Sequence, residues 1–253
     1  MRSVLRAAFI SALAGQLAFA APAAAAPNPY LRVEPQVANW LPPQPQSGDL
    51  TDDSDLAIYY TTRPLAAPGS PSVVDAQADD VLSAPTVAQR FATAAGGTLD
   101  ATNAPAFMTM MTRVLDDDGA MLAPLKHDVV DGGRVRPYVR FAQQNVCDHL
   151  VDDRDYRLDK TGSYPSGHAT YGWMWGLILS TILSERADAI MAKAYGFGQS
   201  RLVCGFHYPS DLLAGRLAAS ALFARLMTDP AFAGDLKRAR VEVRKALGLP
   251  AVP

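Results

Sequence analysis

His207 and Asp211, four residues apart, are the pair in this sequence best placed to do chemistry. On a helix or its first turn, that spacing stacks both side chains on one face. The carboxylate can then accept a hydrogen bond from one imidazole nitrogen, fixing the tautomer and freeing the other nitrogen to attack. This is the logic of a catalytic triad with histidine as the nucleophile. Just upstream, Ser200-Arg201 adds a hydroxyl and a guanidinium. A second segment, Pro165-Ser166-Gly167-His168, reads as a sharp turn leading into a helix. The first N–H groups of that helix and the Ser166 hydroxyl would face an anion, with His168 at the helix start. A third segment, Arg136-Pro137 preceded by Arg134, supplies another planar fork. A phosphoryl group in transit carries charge on three equatorial oxygens and needs fixed positive charge and amide donors around it. Arg136 and Arg201 can each bracket such oxygens.

Each piece has a bland reading when taken alone. Lone histidines such as His127 and His149 are usually packing or surface residues, and an Asp four residues after a His adds only a few tenths of a kcal/mol to a helix. The combination carries more weight: eight specified positions fall in two segments at compatible spacing. No metal-ligand spacing such as His-Glu-x-x-His or Cys-x-x-Cys occurs. The run Asp116-Asp117-Asp118 before Gly119 reads as a solvated helix–helix turn, with Mg²⁺ binding a distant second reading. The arginines supply the charge, so no metal or other cofactor is expected.

Together the three segments resemble the signature of the type 2 phosphatidic acid phosphatase superfamily, which includes bacterial class A non-specific acid phosphatases and vanadium haloperoxidases. Similarity to the class A enzymes extends to Leu41-Pro42-Pro43, Asn103-Ala104-Pro105-Ala106, Gly162-Ser163-Tyr164 and Gly198-Gln199. The resemblance implies His207 as nucleophile, Asp211 as its partner and His168 as general acid. It implies Arg136, Ser166, Gly167 and Arg201 as the phosphate cradle. The family usually has a lysine seven residues before the arginine of Arg-Pro, where this chain has Val129. Either Lys126 takes that place from a rearranged helix end, or His127 approaches it, or the lysine is missing.

The implied reaction is hydrolysis of phosphate monoesters through a phosphohistidine, with phosphotransfer to other alcohols as a side activity. A vanadium-dependent haloperoxidase and a catalytically impaired phosphate-binding relative are the alternatives. Expected partners are small phosphate-ester substrates, and a homo-oligomer fits the family. The charge balance (net −2) offers no basic stripe for nucleic acid polymers.

The elements that must position these residues read as helices. With 253 residues, 49% of them hydrophobic, the chain can build one good-sized core. No window alternates with period two, so an all-α bundle of the acid phosphatase/vanadium haloperoxidase type is expected. Helices are expected over 72–82, 86–95, from an Asn103 cap through Leu115, and from Gly119 through Leu125. Longer ones are expected over 168–184, 186–198 and 210–227. The uncharged stretch 169–183 is too short to span a bilayer and suits a helix buried inside a bundle. Six prolines between Pro27 and Pro45 predict an extended arm, and 49–70 reads as loop with at most a short helix over 56–61.

Arg2, Arg6, the apolar run 7–19 and the sites Ala18-Phe19-Ala20 or Ala24-Ala25-Ala26 have the layout of a signal peptide. Residues 1–26 are therefore expected to be removed, with cleavage after 20 or 26, giving a periplasmic or secreted protein. Residues 27–70 would form the arm and loop, and 71–253 the helical domain. Export would permit a disulfide between Cys147 and Cys204, tying the Arg201–His207 loop to the segment after Arg136-Pro137.

Overall fold

The computed structural model describes residues 29–141, 147 and 158–251. The expected signal peptide and His149 lie outside the described residues. Helices α1 (Leu50–Thr62), α2 (Pro71–Ala78), α3 (Ala84–Ala95) and α4 (Pro105–Leu122) build the first part of the chain. A single turn, α5 (Pro137–Arg140), precedes α6 (Gly167–Ile182), α7 (Ala187–Cys204), α8 (Pro209–Leu226) and α9 (Pro230–Ala246). Among the described residues the only β pairing is an isolated antiparallel bridge between Asp128 and Thr161. The protein is all-α, as its sequence pattern predicts.

Local chemistry sets the helix starts. Ser70, Ser83 and Ser166 each accept a hydrogen bond from the backbone N–H three residues on. Asp229 accepts two, from Ala231 and Phe232, and Pro71, Pro85 and Pro230 sit where no helical N–H is needed. α6 is the axis of the bundle, packing chiefly against α7 and α8, with Trp175, Tyr171 and Met174 fully enclosed. Its lack of charge thus reflects burial on nearly all sides, and no described helix is long and apolar enough to cross a membrane.

Two glycines let the helices approach closely. A Cβ on Gly172 would come within 2.5 Å of the Phe197 ring, and one on Gly215 within 2.5 Å of the Ser166 carbonyl. The second contact nests α8 against the start of α6.

Several elements differ from the sequence expectation. Residues 50–62 form a 13-residue helix rather than a loop. Acidic residues in its first turn suit the helix dipole, and Asp52 and Asp55 are buried against arginines from the 134–140 segment. Asn103 is not the cap of α4; Ala104 holds that position, while the Asn103 side chain ties back to Asp100 and Thr98. Gly119 starts no new helix, because α4 runs through it to Leu122 and buries Met121 and Leu122. The acidic run is not solvated: Asp117 and Asp118 are buried. Asp117 accepts the backbone N–H groups of Tyr30 (3.0 Å) and Leu31 (2.9 Å), pinning the Pro-rich arm. That arm is interrupted by a 3₁₀ turn at Val37–Asn39 and buries Tyr30, Leu31, Val37 and Leu41. α7 continues past Gly198 to Cys204. α9 has no counterpart in the sequence expectation, since its stripe Phe232, Leu236, Ala239, Val243 is set in a strongly charged segment.

Candidate active site

The site forms where the N-termini of α6 and α8, the C-terminus of α7 and the 126–136 segment converge. Gly205 takes a left-handed φ of 82° after Cys204, ending α7. The chain then passes through Phe206 and His207 into α8, where Pro209 occupies the first turn. Asp211 caps that turn, its Oδ2 accepting the Tyr208 N–H at 2.9 Å. The Ser166 N–H donates to the Asp211 carbonyl at 3.0 Å, joining the two helix starts.

His207 is 3% exposed, and its Nδ1 lies 3.5 Å from Asp211 Oδ2. Its Nε2 lies 3.2 Å from Arg136 Nη1. A guanidinium can only donate, so Nε2 is the acceptor and the ring proton sits on Nδ1, facing the carboxylate. This leaves the lone pair on the side of the arginine. Burial pushes the His207 pKa down to about 3, with Arg136 and Lys126 adding to the fall and Asp211 opposing it. Burial alone would raise the Asp211 carboxyl, but His207, Arg134 and the Tyr208 N–H bring it to about 2.

Arg136 is anchored by backbone carbonyls: Leu158 (3.0 Å), Thr161 (3.2 Å), Phe206 (3.2 Å) and Gly162 (3.3 Å). Lys126 reaches the same carbonyl wall, its Nζ 3.2 Å from Ser163 O. Burial, then the nearby Arg136, lowers its pKa to about 7, against the pull of Asp211 and Asp118. Its charge is close enough to act on His207, so Lys126 belongs to the cluster. Val129 instead donates its backbone N–H to Lys160 O across the loop.

Ser166 is fully buried and its hydroxyl oxygen accepts the Ala169 N–H at 3.3 Å, which leaves its O–H as a donor. A Cβ at Gly167 would meet nothing closer than 3.9 Å, so space is open beside its backbone. His168 stacks on Phe197 and directs Nε2 at the Asp80 carbonyl, 2.8 Å away. Desolvation, then Arg201, holds its pKa well below the usual histidine value, with His207 and Arg136 contributing. Arg201 is fully buried and bound to Asp80 Oδ1 (2.5 Å), the Ala76 carbonyl and Ser200 Oγ.

The fold brings three further groups to this site: Arg134, the Asp52–Asp55 pair and Asp80. Arg134 donates to Asp211 Oδ1 (2.8 Å) while its other nitrogen holds Asp52 (3.0 Å) and Asp55 (2.8 Å). Its guanidinium also covers the Tyr208 ring at 3.9 Å. Asp52 and Asp55 lie some 80 residues from Arg134 in sequence, and no local pattern links them. Asp80 is the third. Arg134 alone carried a hint, being one of two arginines flanking Val135.

Cys147 and Cys204 form a disulfide with Cα atoms 5.2 Å apart, fastening the end of α7. Among the described residues no cluster of His, Cys, Asp or Glu is arranged to hold a metal ion.

Comparison with known proteins shows the family of the chain. The PAP2 superfamily profile matches residues 129–233. The chain is 35% identical to the non-specific acid phosphatase of Providencia stuartii over 81% of its own length and 79% of the relative's. It is 34% identical to that of Salmonella typhimurium (81% and 78%) and 36% identical to an acid phosphatase of Zymomonas mobilis (82% and 75%). These relatives do not favour the haloperoxidase alternative. The chain belongs to the PAP2 superfamily and, within it, to the class A non-specific acid phosphatases, which are phosphoric monoester hydrolases.

Proposed function

We propose that this protein hydrolyses small phosphate monoesters in two steps through a phosphohistidine on His207. The observation that carries the reading is the Arg136–His207 contact, which leaves Nε2 unprotonated and sets its lone pair beside a cationic fork. In the first step Nε2 attacks phosphorus, the ester P–O bond breaks, and His168 gives its proton to the departing alcohol. The Asp211 carboxylate, remaining ionised, balances the positive charge that grows on the His207 ring. In the second step water attacks the phosphohistidine, the N–P bond breaks, and His168 receives the proton from water. An alcohol in place of water gives phosphotransfer.

The electrostatics support these assignments. With a pKa of about 3, His207 stays neutral and nucleophilic in acid. Burial, and after it the charge of Arg201, hold the His168 pKa well below its usual value, so it is unprotonated near neutrality. A phosphate dianion arriving beside Arg201 and Arg136 offsets that field, so His168 gains its proton together with the substrate. Arg136, Lys126, the Gly167 N–H and Arg201 form the cradle, with Ser166 fixing the helix start behind it. Such donors act through charge that develops in the transition state and need no metal.

Export to the periplasm or beyond belongs to the same proposal, supported by the basic, apolar N-terminal segment and by the disulfide. The direct test is p-nitrophenyl phosphate hydrolysis from pH 4 to 7.5 with EDTA present. Activity that resists EDTA and disappears in His207→Ala supports the proposal; activity that survives this substitution contradicts it.

A further inference from the structure

Asp80 lies in the turn between α2 and α3, and it meets two of the site residues at once. Its Oδ1 accepts from Arg201 Nη1 at 2.5 Å, and its backbone carbonyl lies 2.8 Å from His168 Nε2. Arg201 directs its other nitrogens at the Ala76 carbonyl and at Ser200 Oγ, so each of its three nitrogens already has a partner within the protein. Asp80 is 5% exposed, yet its Oδ2 has no hydrogen-bond partner among the described residues. A buried ion pair repays its desolvation only when the remaining lone pairs are satisfied. This one is half-satisfied, and unlike the other half-satisfied carboxylates Asp80 holds both Arg201 and His168, so it lies where an incoming anion could replace it.

We infer that Asp80 is an internal competitor for the phosphate position, an affinity- and specificity-determining residue that a substrate must displace from Arg201 and His168. The inference rests on the cradle and general-acid roles proposed above. A dianionic phosphate monoester outbids a carboxylate for a guanidinium, while a monoanionic diester gains no such advantage. Asp80 thereby favours monoesters by charge.

Acid conditions loosen the contact. Burial raises the Asp80 carboxyl above its ordinary value, with Arg201 opposing. The charged and titratable groups around it are Arg201 of α7, His168 of α6 and the adjacent Asp79. Asp79 is itself held by Arg90 of α3 (2.6 Å) and Lys193 of α7 (3.2 Å). As pH falls Asp80 is neutralised, Arg201 is released, and dianion binding tightens.

Sulfate is the probe, because it keeps its double charge from pH 4 to 7.5; dimethyl phosphate serves as the monoanion. Their inhibition constants against p-nitrophenyl phosphate are compared in the wild type and Asp80→Asn, which keeps the backbone carbonyl and removes the charge. At pH 7 the variant should bind sulfate at least about tenfold tighter, the lower end of coupling for a close charge pair. It should also show a flatter pH dependence and gain affinity for dimethyl phosphate. A folded variant that binds sulfate no tighter overturns the inference. If the variant folds only with sulfate present, that rescue supports it. If it does not fold at all, the wild type decides: its sulfate binding must tighten toward pH 4, and a flat profile overturns the inference. Wild-type hydrolysis that needs His207, combined with unchanged sulfate binding in the variant, defeats this inference alone. Absence of wild-type hydrolysis defeats the proposed function and this inference with it.

Discussion

Arg136 Nη1 stands 3.2 Å from His207 Nε2, so one arginine selects the imidazole tautomer and, in the proposed mechanism, flanks the nitrogen that attacks phosphorus. The guanidinium is carried there by four backbone carbonyls, which leave it little freedom to turn away. Replacing Arg136 with Gln should lower kcat by about a hundredfold to a thousandfold, the range for losing one preorganised transition-state donor. Arg136 also depresses the His207 pKa, so its loss should move the acid limb of the kcat/KM profile upward. An unchanged acid limb would separate the arginine from the nucleophile.

Arg134 is the link between Asp211 and α1. Arg134→Met leaves Asp52, Asp55 and Asp211 as buried charges without their shared partner, at a cost of about 3–5 kcal/mol. The accompanying fall in kcat should be about tenfold to a hundredfold, as for outer partners that orient histidines elsewhere. KM should change little, since Arg134 faces Asp211 and not the cradle. Chemical denaturation and steady-state kinetics on Arg134→Met and Arg134→Lys check both effects, with Lys recovering part of the stability.

The pH dependence follows from the His207 environment. A folded-state pKa of about 3 keeps the nucleophile neutral through the acid range, so the acid limb of kcat/KM should lie near that value. The same depression makes folding pH-dependent. Below about 6.5 the unfolded chain protonates this histidine while the folded protein does not, so stability falls as pH drops from 6.5 toward 3. Thermal melts at pH 6.5 and 4 should show Tm decreasing, more in the wild type than in His207→Gln.

The Cys147–Cys204 disulfide closes a loop with a sequence separation of 57, and breaking it should cost roughly 4 kcal/mol on a chain-entropy basis. Cys204 is three residues from His207, at the Gly205 bend, so reduction should also lower kcat. Melts and activity with and without reductant measure this; Cys147→Ser should match the reduced wild type in both.

Much of this site was legible because its chemistry is packed into short segments. His207 and Asp211 share one turn, and Pro165 to His168 shape one helix start. The family resemblance then located Arg136 and Arg201. Partners contributed by distant elements were not legible. No motif or spacing in the sequence ties Asp52, Asp55 or Asp80 to an arginine, and only the packing of α1 and the α2–α3 turn brings them there. The same blindness made Asp117 and Asp118 look solvated, since the arm that covers them lies more than 80 residues upstream. Lys126 was ambiguous for another reason. Its register depended on how the loop before Arg136 folds, and that loop is held by the Asp128–Thr161 bridge, a contact between residues 33 apart.

The central claim is a covalent phosphate on His207, and rapid quenching of turnover tests it most directly. Mature protein mixed with p-nitrophenyl phosphate, quenched in base and analysed by peptide mass spectrometry should carry one acid-labile phosphate on the peptide containing His207. The adduct should be absent from His207→Ala and accumulate in a variant whose second step is slowed, such as His168→Ala assayed with this good leaving group. Full turnover in the wild type with no adduct under any quench, or phosphate found on His168 instead, would contradict the account.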